Sequence, residues 1–248
     1  LDATVTETVK SDDADMKIAW LCVGASSWTD GIQLSIQGCI MLIAFEGPIA
    51  AGKTTLATLY SEYSGGTLIL EEFEKNEFLA DFYADKPRWS LPMQLSFALD
   101  RNAQWRRFEA QQSTLLVADY SPLKDMIFAR TLMGGRELRL FERAVGAVQH
   151  ENLPADLIVH LDAIDEVLLN RIASRGRPYE RQIDPAYQNQ LRAAYALQLK
   201  QSEAPDTLWF DTTELDLGSR AQLSAIFTAI DAVRQSLKLK RATSLRKP

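Results

Sequence analysis

The stretch "MLIAFEGPIAAGKTT", residues 41–55, decides how this chain is to be read. Its first six residues carry no charge until Glu46, the pattern of a strand buried on both faces. Gly47 and Gly52 then bracket Pro48, Ile49, Ala50 and Ala51, and Lys53, Thr54 and Thr55 open a helix. The two glycines let successive backbone N–H groups turn inward, making a nest for a β-phosphate at a helix N-terminus. At this spacing Lys53 reaches the β- and γ-phosphates, and the Thr54 hydroxyl is placed to ligate Mg²⁺. A nucleoside triphosphate loop is expected over Gly47–Thr55.

Further strand-like runs follow at 67–72, 114–119, 156–163 and 207–213. Crossover helices are expected between them, over 53–62, 78–85, 91–112, 121–150, 164–174, 185–203 and 218–237. Alternation of this kind predicts a doubly wound domain, with ligands beyond the C-terminal ends of the strands. Acidic residues stand there after four of the five runs: Glu46, Glu71 with Glu72, Asp119 and Asp162. Carboxylates are therefore expected beside the phosphate loop.

At 248 residues the chain is long enough for one α/β domain, or for two small ones. A net charge of −6 argues against a nucleic-acid polymer or an anionic membrane surface as partner. No apolar run reaches the length of a membrane span. Cys22 and Cys39 form neither a metal nor a redox spacing, so a cytoplasmic setting is the plain expectation. Residues 1–40 start acidic and lack clear periodicity, and are expected to be a poorly ordered N-terminal extension. The domain is expected over 41–237, with 238–248 a frayed basic tail.

The stretches "LILEEFEKNEFLADFYADKPRWSLPMQLSFALDR" (68–101), "VADYSPLKDMIFAR" (117–130) and "RIASRGRPYE" (171–180) resemble the deoxynucleoside kinases, and the likeness covers about Met41 to Leu237. The resemblance implies a three-layer α/β/α P-loop NTPase fold with a five-stranded parallel sheet and a helical lid. It implies transfer of the γ-phosphoryl of ATP, with Mg²⁺, to the 5′-hydroxyl of a deoxynucleoside in nucleotide salvage, and a homodimer. Glu71 matches the family's general base. Lys53, Arg175 and Arg177 match its phosphate-binding cations. Tyr83 and Glu180 match the pair that holds the sugar 3′-hydroxyl, and Gln94 matches the reader of the base edge. Gln94, Phe97 and Arg101 share one helix face. An Arg101–Asp125 pair implies a purine deoxynucleoside. Thr54 and Asp119 are the implied metal ligands.

The sequence also departs from the family. Tyr120 in "DYS" stands where members keep an arginine that steadies the catalytic carboxylate. Lys124, about one helical turn on, is the candidate replacement, with a surface lysine as the alternative. Two other functions share the loop: a nucleoside monophosphate kinase of the thymidylate type, and a P-loop switch or assembly ATPase. The first needs an arginine near the third strand, where Tyr120 sits. The second needs no acceptor pocket.

Overall fold

The computed structural model describes residues 40–109, 113–148, 154–183, 185–201 and 204–244. Residues 1–39, on which the expected extension falls, lie outside them, as do 245–248. The description below concerns the unit that begins at Ile40.

Five strands, β1 (Met41–Glu46), β2 (Thr67–Ile69), β3 (Leu115–Ala118), β4 (Leu157–Asp162) and β5 (Asp206–Asp211), form one sheet in the order β2-β3-β1-β4-β5. Every neighbouring pair is parallel. The period of two along β1 explains the three layers. Met41, Ile43 and Phe45 pack with α1 (Lys53–Ser64) and α8 (Arg220–Ser244) through Leu56, Tyr60, Phe227 and Ile230. Leu42 and Ala44 face the opposite way, toward Trp105, Ile127 and Tyr195 of α3 (Lys86–Glu109), α4 (Leu123–Leu132) and α7 (Pro185–Leu199). All six residues of β1 are buried, as its near-continuous apolar run requires. The short α2 (Leu79–Ala84) and α5 (Gly135–Val148) pack on α3, and α6 (Asp165–Arg175) leads into a 3₁₀ turn, Pro178–Gln182.

Three expectations are corrected. β2 stops at Ile69 and does not run to Glu72, because side chains intercept its backbone. Gln104 Nε2 takes the Leu70 carbonyl at 2.8 Å, and the Glu71 N–H donates to Asp119 Oδ1 at 2.8 Å. The helical stretch 121–150 is two helices, parted where Met133 is extended and Gly135 takes a φ of +55°. Residues 238–244 are the last turns of α8 and not a frayed tail. Arg241 anchors them by donating to the Ile40 carbonyl at 2.8 Å and to Asp156.

Gly47 has no room for a side chain. Its φ is +144°, and a Cβ there would lie 2.0 Å from the Leu161 carbonyl oxygen of β4. Gly47→Ala is expected to cost at least about 3 kcal/mol, from backbone strain together with overpacking. Thermal unfolding checks this: a drop of several degrees is expected, and an unchanged Tm would show that the β1–β4 contact yields.

Candidate active site

The turn after β1 is held from three sides. Lys53 folds back so that Nζ donates to the carbonyls of Gly47 (2.9 Å) and Pro48 (2.7 Å). Gln188 of α7 bonds Ile49 twice, accepting from its N–H at 3.3 Å and donating to its carbonyl at 2.9 Å. Thr212, after β5, touches the Ala51 carbonyl at 3.1 Å. These ties fix Ala50 at a φ of +66°, a left-handed conformation that costs a side-chain-bearing residue about 1–2 kcal/mol. Burial, and after it the like charge of Lys124, lowers the Lys53 ammonium to about 8 against the pull of Glu46, Glu71 and Asp119.

The carboxylates meet beside this loop. Asp119, just past β3, accepts from Thr54 Oγ1 at 2.5 Å and, through its other oxygen, from the Glu71 N–H. Thr54 and Asp119 thus present a pair of hard oxygen donors, the type that Mg²⁺ takes alongside phosphate oxygens. The Glu71 carboxylate lies between two cations: Arg101 bonds Oε1 through Nε (2.8 Å) and Nη2, and Lys124 bonds Oε2 at 2.5 Å. Burial works against its ionisation, but the charges of Arg101 and Lys124 prevail and hold its pKa at about 2. Behind it, Arg101 is also paired with the buried Asp125.

The side chain that departs from the family pattern is accounted for. Tyr120 is fully buried and packs on Trp105, and its hydroxyl donates to Gln104 Oε1. Lys124 is 6% exposed, which rules out the surface-lysine alternative. Tyr120 therefore acts on the Gln104–Leu70 tie, and the contact with Glu71 belongs to Lys124.

A cleft of about 700 Å³ opens over these groups. Ile49 to Thr55 form its floor, and Glu71, Asp119 and Lys124 lie beside them. Tyr83, Gln94, Phe97 and Arg101 line the wall made by α2 and α3. Gln94 is buried, yet among the described residues its Oε1 has no partner and its amide nitrogen only a 3.6 Å contact with Met93 Sδ. An unmet buried carbonyl of this kind costs about 1–3 kcal/mol until a donor arrives, so it suits a ligand's N–H. Arg101 lies over the Phe97 ring at 4.8 Å, which leaves the face of mixed character that the spacing predicts. Phe128 also lines the cleft, while its ring edge packs on Tyr195. Trp89 stacks on Phe78, a packing role.

Arg175, Arg177 and Glu180 also line the cleft. Arg175 grips Glu180 through Nε (3.0 Å) and Nη2 (2.6 and 2.7 Å), and Arg177 adds a longer bond at 3.3 Å while lying over Phe73. Tyr83 stacks on Tyr179, next to Glu180. Arg171, one turn before Arg175, serves differently: it donates to the hydroxyl and carbonyl of Thr212.

Most of the sequence-derived set converges here. Gly47, Pro48 and Asp125 do not line the cleft: the first two lend their carbonyls to Lys53, and Asp125 sits behind Arg101. The sequence reading passed over Gln188, Gln104 and Tyr195, which no local pattern marks. It placed Glu46 among the strand-end acids, where the alternation did signal it. Glu46 is wholly buried, accepting from the Ser121 N–H (2.6 Å), the Ser121 hydroxyl (2.8 Å) and Tyr195 (2.8 Å). It thereby pins the segment that carries Asp119. Burial raises its pKa against the charge of Lys124.

The family model for deoxynucleoside kinase matches residues 43–233. A deoxyguanosine kinase of Bacillus subtilis is 33% identical over 167 residues, 66% of this chain and 81% of that protein. A deoxyadenosine kinase of Dictyostelium discoideum is 30% identical, over 62% of this chain and 64% of its own. The structure of deoxyadenosine kinase from M. mycoides with bound dATP superposes with a TM-score of 0.66 at 25% identity, covering 77% of this chain and 99% of that one. A match that runs from β1 into α8, over a sheet and cradle of this form, makes the chain an enzyme of the deoxynucleoside kinase family.

Proposed function

We propose that this kinase transfers the γ-phosphoryl of ATP to the 5′-hydroxyl of a purine deoxynucleoside. The observation that carries the reading is Glu71, an ionised carboxylate beside the phosphate loop in a cleft with room for an uncharged nucleoside. Lys53 and the loop N–H groups hold the donor's phosphates. Arg175 and Arg177 supply charge for the γ-oxygens as the lid closes over them. Glu71 takes the proton of the sugar hydroxyl, a poor nucleophile without such a base. Thr54 and Asp119 would hold Mg²⁺, which neutralises phosphate charge and aligns the donor when bound.

Tyr83 and Glu180 meet the sugar, and Gln94 meets the base edge with an amide that can both donate and accept. The purine preference rests on the Arg101–Asp125 pair, and it agrees with the names that the relatives carry. Thr212, Leu215, Asp216 and Leu217 form the end of the cleft suited to the donor's adenine.

Nucleoside diphosphate release, measured with each of the four deoxynucleosides and with none, tests this. Release is expected to depend on an added nucleoside, and kcat/KM to be higher for deoxyguanosine or deoxyadenosine than for thymidine. Equal release with and without any nucleoside would end the kinase reading in favour of a hydrolytic switch. Thymidine as the preferred acceptor would end the purine assignment.

A further inference from the structure

A carboxylate has about four lone-pair directions, two on each oxygen. At Glu71, Oε1 receives both Nε and Nη2 of Arg101, which fills it. Among the described residues Oε2 receives one bond, from Lys124 Nζ at 2.5 Å, which leaves it a direction to accept another, and Glu71 lines the cleft. Arg101 is held in place, since it is 5% exposed and also paired with the buried Asp125. Lys124 reaches from α4, lines the same cleft, and passes over the Phe128 ring at 5.6 Å.

We propose that Lys124 is a positioning residue that selects Oε2 of Glu71 as the proton-accepting atom and holds it toward the incoming hydroxyl. This rests on the reading of Glu71 as the base. In the transfer, the 5′-hydroxyl proton passes to Oε2 and the 5′-oxygen pair forms the bond to the γ-phosphorus. The bond from that phosphorus to the β–γ bridging oxygen breaks, and its electrons leave with the nucleoside diphosphate. Lys124, beside Oε2, lies close to the oxygen that gains charge as its proton departs.

The test uses the full chain, with kcat and KM for ATP measured in Lys124→Met, Lys124→Ala, Lys124→Arg and Glu71→Gln. Lys124→Met, which keeps an apolar stem against Phe128, should lose roughly 10- to 100-fold in kcat, the range for one hydrogen bond to a charged group. Its KM for ATP should hold. Added ethylammonium should restore part of the Lys124→Ala activity, whereas neutral propanol should not, and Lys124→Arg should return kcat toward the parent value. Should the Met variant fail to fold, amine rescue of Lys124→Ala and the kcat of Lys124→Arg decide the matter. Parent-like kcat in Lys124→Met, with Glu71→Gln inactive, would overturn this assignment alone. Lowered kcat with no amine rescue would overturn it too, by making Lys124 a packing residue. An active Glu71→Gln would remove the base reading itself.

Discussion

Replacing Glu71 by glutamine is expected to lower kcat by roughly 10²–10⁴, the contribution of a positioned general base, while ATP still binds. The amide has nearly the shape of the carboxylate, so the cleft keeps its volume. It cannot take a proton from the sugar hydroxyl at working pH. Structural damage has to be separated from this loss, because two cations then face a neutral group. Arg101 retains Asp125, whereas Lys124 loses the anion it is paired with. That cost is about 3 kcal/mol, the lower end for breaking a buried pair. Tm and ATP affinity, measured on the same preparation, show whether the fold survives. A folded variant with parent-like turnover would take Glu71 out of the base role.

Lys53→Ala is expected to remove transfer to every acceptor, a loss of at least about 10³-fold in kcat/KM. The half-buried Lys53 ammonium is tied to the Gly47 and Pro48 carbonyls and lies under the loop that cradles the donor. Its removal takes away the charge that meets the β- and γ-phosphates and releases one of the three ties on the turn. The ties through Gln188 and Thr212 remain, so the loop is expected to keep its course. The discriminating feature is breadth, since a lost donor site lowers activity equally for all nucleosides. Selective loss with one acceptor, or surviving activity, would place the donor elsewhere.

The two substitutions also show where sequence stops informing. Lys53 and its loop were legible because the chemistry lies in eight consecutive residues whose spacing forces the turn. Glu71 was legible as an acid after a strand, but its surroundings were not. The extension of β2 to Glu72 failed because propensity describes a strand without knowing that Gln104 and Asp119 will compete for its backbone groups. Tyr120 gave a clear sign of departure from the family pattern and no sign of its consequence. Nothing near it in sequence points to Gln104, and nothing near Lys124 shows that it is buried.

The sequence by itself determined the strand–loop–helix unit at Met41–Ser64, the alternating layers and the acids beyond the strand ends, since each follows from local periodicity, glycine torsions and short-range spacing. Only the tertiary structure decided the partners: Tyr120 with Gln104 across 16 residues, Glu71 with Arg101 across 30 and with Lys124 across 53, Glu46 with Tyr195 across 149. Those pairings arise where α3, α4 and α7 pack on one face of the sheet. Their charges act through space in a buried setting, where distance outweighs order along the chain.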